Sequence, residues 1–174
     1  PWWRRLARGT GVTVVGSVRE GLDALGLARG VGDFPIKTLT RAAGDRRPLG
    51  VGAGSLALLA FLPEDEIVEV IASNAARLAA YPRFSPSELA VLTAKTREWG
   101  HSFNEGRIVT AMCAVGVPVF DPRGRVVAAI SVAAISERMD DERVAWIVSL
   151  LQAEAEKLRM RLTEISQPEA RVTA

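Results

Sequence analysis

Apolar and polar positions change their period several times along this chain, and each change marks a predicted element. Residues 12–19 (VTVVGSVR) alternate and read as a strand. Glu20-Gly21 is a tight turn, and 22–29 (LDALGLAR) takes up the strand pattern again, so the pair predicts a hairpin. Gly30 and Gly32 end it, and 34–40 (FPIKTLT) read as a third, Pro-marked strand. Ahead of the hairpin, Trp2–Ala7 read as the end of a helix stopped by Gly9 and Gly11.

The block 46–63 (RRPLGVGAGSLALLAFLP) breaks the alternation. It is a glycine-rich turn running into a wholly apolar helix at about 53–61. Gly50, Gly52 and Gly54 let the backbone turn sharply and approach a neighbour closely. The first amides of the helix then have no intrahelical partner and attract anions, aided by the helix dipole. Pro63 suits the first position of a further helix, with Glu64, Asp65 and Glu66 in its dipole-favoured first turn.

Ser85-Pro86 opens another helix, with Leu89, Leu92, Thr96 and Trp99 on one face and Gly100 at its end. Residues 113–121 and 125–135 are nearly continuous apolar runs around Pro122-Arg123-Gly124. They predict a long hairpin covered on both faces. The last helix runs from about Asp140 to Glu164, with a heptad-like stripe of Val144, Val148, Leu151, Ala155, Leu158 and Leu162. Hairpins in place of βαβ crossovers predict an α+β fold, an antiparallel sheet with helices packed on it.

Composition narrows the function. The 174 residues suffice for one domain with a sizeable core, and the hydrophobic fraction of 48% is that of a globular chain. No apolar run reaches the roughly 20 residues of a membrane span, and no signal peptide is legible at the start. One cysteine, Cys113, excludes an internal disulfide and suggests a reducing compartment; one histidine, His101, disfavours a His/Cys metal site. Arginine is spread along the chain at a net charge of +2, unlike the basic face of a nucleic-acid domain. A start at Pro1 suggests a trimmed chain or a preceding domain.

No catalytic apparatus emerges. Gly50 and Gly52 fit the first two positions of G-x-G-x-x-G, but Ser55 fails the third and no βαβ unit surrounds it; a tight loop packing its helix on the sheet is the plain alternative. Ser131, in the buried run AAISVAA, must find a partner in the backbone or in a ligand. Cys113 reads as a buried inert thiol, and His101 as an exposed residue after a helix end. Asn104 and Glu105 fit a pocket rim or a solvated turn. The C-terminal charges Glu154, Glu156, Lys157, Arg159 and Arg161 read as a solvated helix face.

Residues 48–66 (PLGVGAGSLALLAFLPEDE), 100–139 (GHSFNEGRIVTAMCAVGVPVFDPRGRVVAAISVAAISERM) and the early hairpin resemble the C-terminal effector-binding domain of IclR-type bacterial transcription regulators. The likeness spans about residues 6–163. It implies a GAF- or profilin-like antiparallel sheet of about six strands, flanked by helices and closed by a long C-terminal helix. It also implies a ligand pocket on one sheet face and an upstream winged helix-turn-helix domain, of which residues 1–10 would be a linker stub. The effector domain would be 11–165 and the tail 166–174.

The resemblance places the family's amide pair on Ala53 and Gly54, beside Gly52, and its strand serine on Ser131. The second serine is Ala133 here, the acidic-loop carboxylate is Asn104, and the pocket cysteine aligns with Ala114. Apolar walls fall on Met112 and near Leu39, and Phe103 joins the pocket set. Gly50 stands for the usual His and Leu56 for the usual Lys. These departures imply a larger or more apolar effector, a carboxylate or an aromatic, anchored by backbone amides and Ser131. The expected assembly is a cytoplasmic homodimer or tetramer without cofactor, metal or catalytic residues, meeting operator DNA only through the other domain. The competing expectations are an oligomerisation module whose pocket is filled by Met112 and Phe103, and an acyl-transfer enzyme with His101 in reach of Cys113 or Ser131.

Overall fold

A computed structural model describes residues 1–36 and 42–166. Helix α1 (Trp2–Thr10) leads into the hairpin β1 (Thr13–Glu20) and β2 (Asp23–Gly30). A short strand β3 (Arg46–Pro48) precedes α2 (Ala53–Ala60), α3 (Glu64–Ser73), α4 (Ala75–Leu78) and α5 (Pro86–Trp99). Then come β4 (Ser102–Glu105), the hairpin β5 (Met112–Phe120) and β6 (Val126–Ile135), and the long α6 (Asp141–Ser166). The six strands form one antiparallel sheet in the order β3-β2-β1-β6-β5-β4. The α+β architecture, the six strands and the long last helix are those expected.

Strand alternation sends two sets of side chains to opposite faces. Val14, Cys113, Val115, Val117, Ile130 and Val132 face α1 and α6, where Leu6, Ile147, Val148 and Leu151 complete one core. On the other face Ala24 and Ala129 join a second core with Leu56, Leu58, Leu59, Leu89 and Phe84. Every residue of α2 is buried, which is why its sequence carries no polar stripe. The central strands β5 and β6 are therefore covered on both sides, as their continuous apolar runs predict.

Several local expectations differ from the structure. Residues 34–36 form no strand, and the rest of the expected third strand (37–40) lies outside the described residues. The third strand is Arg46–Pro48 instead, paired with Asp23–Leu25. Its one proline, Pro48, and its two arginines hid it, and it sits at the sheet edge, where proline is tolerated. β4 reads as a loop from sequence because SFNE carries one apolar residue. Pro63 is the N-cap of α3, one place before its first helical residue. Ser85 caps α5 as expected, its Oγ accepting from Glu88 N–H at 3.3 Å. Trp99 is half exposed, on the outer side of α5. Glu154 is buried at 3% exposure, and Arg5 grips both its oxygens at 2.8 and 2.9 Å, tying α1 to α6. It is thus not part of a solvated face.

Candidate functional site

Register gathers most of the candidates onto one face. Asn104 lies opposite Ala114, Ala114 opposite Ala133, and Ala133 opposite Thr13. These four residues form one rung across β4, β5, β6 and β1. The next rung on the same face runs Ser102, Gly116, Ser131, Val15 and Arg29. One step beyond the first rung, Met112 faces Ile135. Ala114, Ala133, Ser131 and Met112 are half-buried, whereas Asn104, Thr13 and Ser102 are buried.

The N-terminus of α2 presses on the second rung. Ser102 Oγ donates to Ala53 C=O at 2.6 Å. A Cβ on Gly116 would stand 2.5 Å from that same carbonyl oxygen, so only glycine lets the helix come down here. A Cβ on Gly54 would lie 3.0 Å from Ser131 Oγ and 3.4 Å from Ser17 Oγ. The turn that delivers the helix needs Gly52 at φ +96°, a region L side chains rarely adopt. Ser55 Oγ accepts from Gly50 N–H at 2.8 Å and locks the turn from inside.

The electrostatics of this face favour an anion or a polar acceptor. Among the described residues, the amides of Ala53 and Gly54 have no hydrogen-bond acceptor, since the first intrahelical bond is Leu56 N–H to Gly52 C=O. The two rungs carry no carboxylate: Asn104 holds the position where the resemblance places an acid, and its Oδ1 accepts from Arg107 N–H at 3.3 Å. Among the described residues Ser131 Oγ reaches only Val15 C=O, at 3.5 Å, a bond at the limit of hydrogen-bond length. Ser17 Oγ is buried with no partner among the described residues. The carboxylates held below their usual pKa, Asp121 and Glu156, belong to the β5–β6 turn and to α6, not to this face.

Two candidates fall elsewhere. Phe103 lies opposite Val115, so strand alternation turns it to the α6 face. It lines a separate cleft of about 220 Å³ with Leu92, Thr96, Trp99 and Arg107. It therefore does not fill the space beside Met112. Leu39 lies outside the described residues. Sequence reading missed Thr13, Ser17, Ser102 and Gly116. The alternation of VTVVGSVR already puts Thr13, Val15 and Ser17 on one side, but nothing local says which side meets α2.

The acyl-transfer reading requires His101 within hydrogen-bond reach of Cys113 or Ser131. His101 Nδ1 contacts Trp99 C=O at 3.1 Å, and no hydrogen bond joins His101 to Cys113 or Ser131 among the described residues. Cys113 faces α6 and donates to Ser136 Oγ at 3.4 Å. No group of three His, Cys, Asp or Glu side chains able to hold a metal occurs among the described residues, and no helix there is long and apolar enough to cross a membrane.

The family described as "Bacterial transcriptional regulator IclR C-terminal" matches residues 1–160. The HTH-type transcriptional repressor AllR of Klebsiella pneumoniae is 30% identical over 152 residues, covering 82% of this chain and 53% of that protein. AllR of Escherichia coli K12 is 28% identical over the same shares. The chain thus spans about half the length of the curated relatives it matches. Among solved structures, the Thermotoga maritima IclR superposes with a TM-score of 0.82 at 24% identity, covering 92% of this chain and 65% of that one. The C-terminal domain of the E. coli transcriptional regulator KdgR gives 0.77 at 23%, covering 92% and 93%. These two likenesses carry the fold.

Proposed function

Since the chain belongs to the IclR family of bacterial transcriptional regulators, matching its C-terminal domain, we propose that it is a sensory domain that binds a small organic effector on the sheet face beneath α2. The observation that carries this is the meeting of two open amides, Ala53 and Gly54, with the hydroxyl of Ser131 on a face without carboxylates. Met112, Ala114, Ala133 and Val15 supply apolar walls, and Asn104 a polar rim. Such a site orients a carboxylate or a phenol through few polar groups and takes its affinity from apolar burial. Where the relatives are read as a guide, this domain controls operator binding by a winged helix-turn-helix domain joined through α1. The effector shifts the population between arrangements of that assembly.

A thermal-shift screen against aliphatic and aromatic carboxylates, phenols and small keto acids tests the reading. A ligand at about 100-fold its dissociation constant adds roughly 2.7 kcal/mol to stability. A saturable shift from one chemical class, lost in Ser131→Ala, supports the sensor. No shift from any class refutes it for this chain alone.

Self-association accompanies this reading. Trp146, Ala153 and Met160 recur at seven-residue intervals on the exposed side of α6, and Trp146 and Met160 are 43% and 55% exposed. An apolar row of this spacing supports a homo-oligomer. Sedimentation of the chain and of a Trp146→Glu, Met160→Glu variant separates the two outcomes: assembly lost in the variant, or unchanged.

A further inference from the structure

We propose that Arg138 is a positioning residue that couples the ligand face of β6 to the C-terminal end of α1; this rests on the sensory reading of that face. Gly11 closes α1 in the left-handed conformation at φ +74°. The segment after β2 runs directly across this cap. Gly32 lies so close that a Cβ there would stand 2.1 Å from Gly11 C, and Phe34 N–H donates to Gly11 C=O at 3.2 Å. The end of α1 and residues 31–36 therefore move as one piece.

Arg138 lies over this joint from the other side. Its guanidinium carbon sits 3.8 Å from the centre of the Phe34 ring, and its Nη2 is 3.9 Å from where a Gly11 Cβ would be. Arg138 follows β6 by a single helical turn: Ile135 ends the strand, and Ser136–Arg138 coil back with Met139 N–H donating to Ser136 C=O at 2.9 Å. Ser136 N–H is in turn held by Ala111 C=O at 2.9 Å, next to Met112. Ser131, Ala133 and Ile135 thus stand on the same strand that aims Arg138. A second arginine completes the grip, with Arg143 Nη2 donating to Thr10 C=O at 2.7 Å. Both cations sit at the negative end of α1.

The grip is incompletely satisfied. Arg138 Nη1 and Arg143 Nε are buried with no acceptor, and neither guanidinium has a carboxylate within salt-bridge distance among the described residues. A buried donor left unpaired lowers the gap to any rearrangement that pairs it. An element with a second arrangement close in free energy is what a switch requires. A displacement of β6 by a ligand at Ser131 would move Arg138, and with it Phe34, Gly11 and α1.

The test uses the folded chain and no ligand. Ser131→Val perturbs the ligand face, and amide hydrogen exchange at Ala7–Gly11 reads the end of α1. The substitution should change that exchange by about two- to thirtyfold while Arg138 is present, the span of couplings of this kind. It should leave exchange unchanged in an Arg138→Met background, where the stem still covers Phe34 but the guanidinium is gone. Exchange at Leu89–Thr93 in α5 serves as the control for global stability. An equal response in both backgrounds, or no response with Arg138 present, overturns the coupling. A ligand-induced thermal shift with no transmission to α1 would leave the sensor standing and remove only this role of Arg138.

Discussion

Gly54 stands over Ser131 so closely that a single added methyl would come within 3.0 Å of the serine hydroxyl. The candidate site is therefore defined by what one helix residue lacks as much as by what the strand carries. Gly54→Ala gains helix propensity worth at most about 1 kcal/mol and meets no backbone, only the Ser131 and Ser17 side chains, whose hydroxyls can turn away and whose nearest carbon, Ser131 Cβ, lies at an ordinary 3.4 Å. Stability should stay within about 1 kcal/mol of the parent. Effector affinity should fall at least about tenfold, a loss of about 1.4 kcal/mol. Chemical denaturation and a binding titration on the same variant check the two halves.

Gly116→Ala should behave in the opposite way. Its Cβ would meet the Ala53 carbonyl at 2.5 Å, which is backbone and cannot rotate aside. The helix must lift from the sheet, at a cost of about 1–3 kcal/mol. Denaturation by urea gives the difference directly, and an unchanged midpoint would mean α2 is not seated on β5 as described.

The Arg5–Glu154 pair joins the first helix to the last. Glu154 is almost fully buried while Arg5 is 61% exposed. Solvent weakens the pair, so Arg5→Met should cost about 1–2 kcal/mol, less than a wholly buried pair would. Lys157, at 3.6 Å from the same carboxylate, softens the loss. Thermal unfolding of Arg5→Met beside Glu154→Gln measures it.

Asp121 gives a pH dependence with a definite sign. The backbone amide of Arg125 donates to its carboxylate at 2.9 Å and is the chief cause that holds its pKa below the usual carboxylate range; burial opposes the shift. The Arg125 guanidinium at 2.8 Å and the Arg123 amide at 2.9 Å add to it. A depressed folded-state pKa contributes stability in full above the unfolded value, about 4. That contribution is lost as pH falls through the folded value. Asp121→Asn should thus destabilise the β5–β6 hairpin at pH 7, and the difference from the parent should shrink steadily below about pH 4. A constant difference down to pH 2 would contradict it.

Much of the fold was legible because the strands announce themselves. The alternation of 12–19 and the twin apolar runs of 113–135 are long enough to fix strand, turn and coverage together. Ser85 and Pro86 mark a helix start by chemistry that acts locally. Arg46–Pro48 and Ser102–Glu105 were not legible, since both are short edge strands whose pairing, not whose side chains, makes them strands. The site was half legible. Ser131, Ala53 and Gly54 come from the resemblance, and the sheet register then adds Thr13, Ser102 and Gly116 from strands far apart in sequence. Phe103 was misplaced because a one-residue step in a strand flips the face, and β4 was not read as a strand. Glu154 was misread because its partner lies 149 residues away.

The most direct test of the central claim is to follow backbone amide resonances during titration with a compound that passes the thermal screen. The account predicts that the largest shifts fall on Ala53 and Gly54, with smaller ones at Ser131, Ala133 and Ala114, and that Gly54→Ala moves their midpoint to at least about tenfold higher ligand concentration. Shifts centred instead on the cleft of about 520 Å³ between Phe61 and Val126, at the other end of α2, would contradict it and move the effector site there.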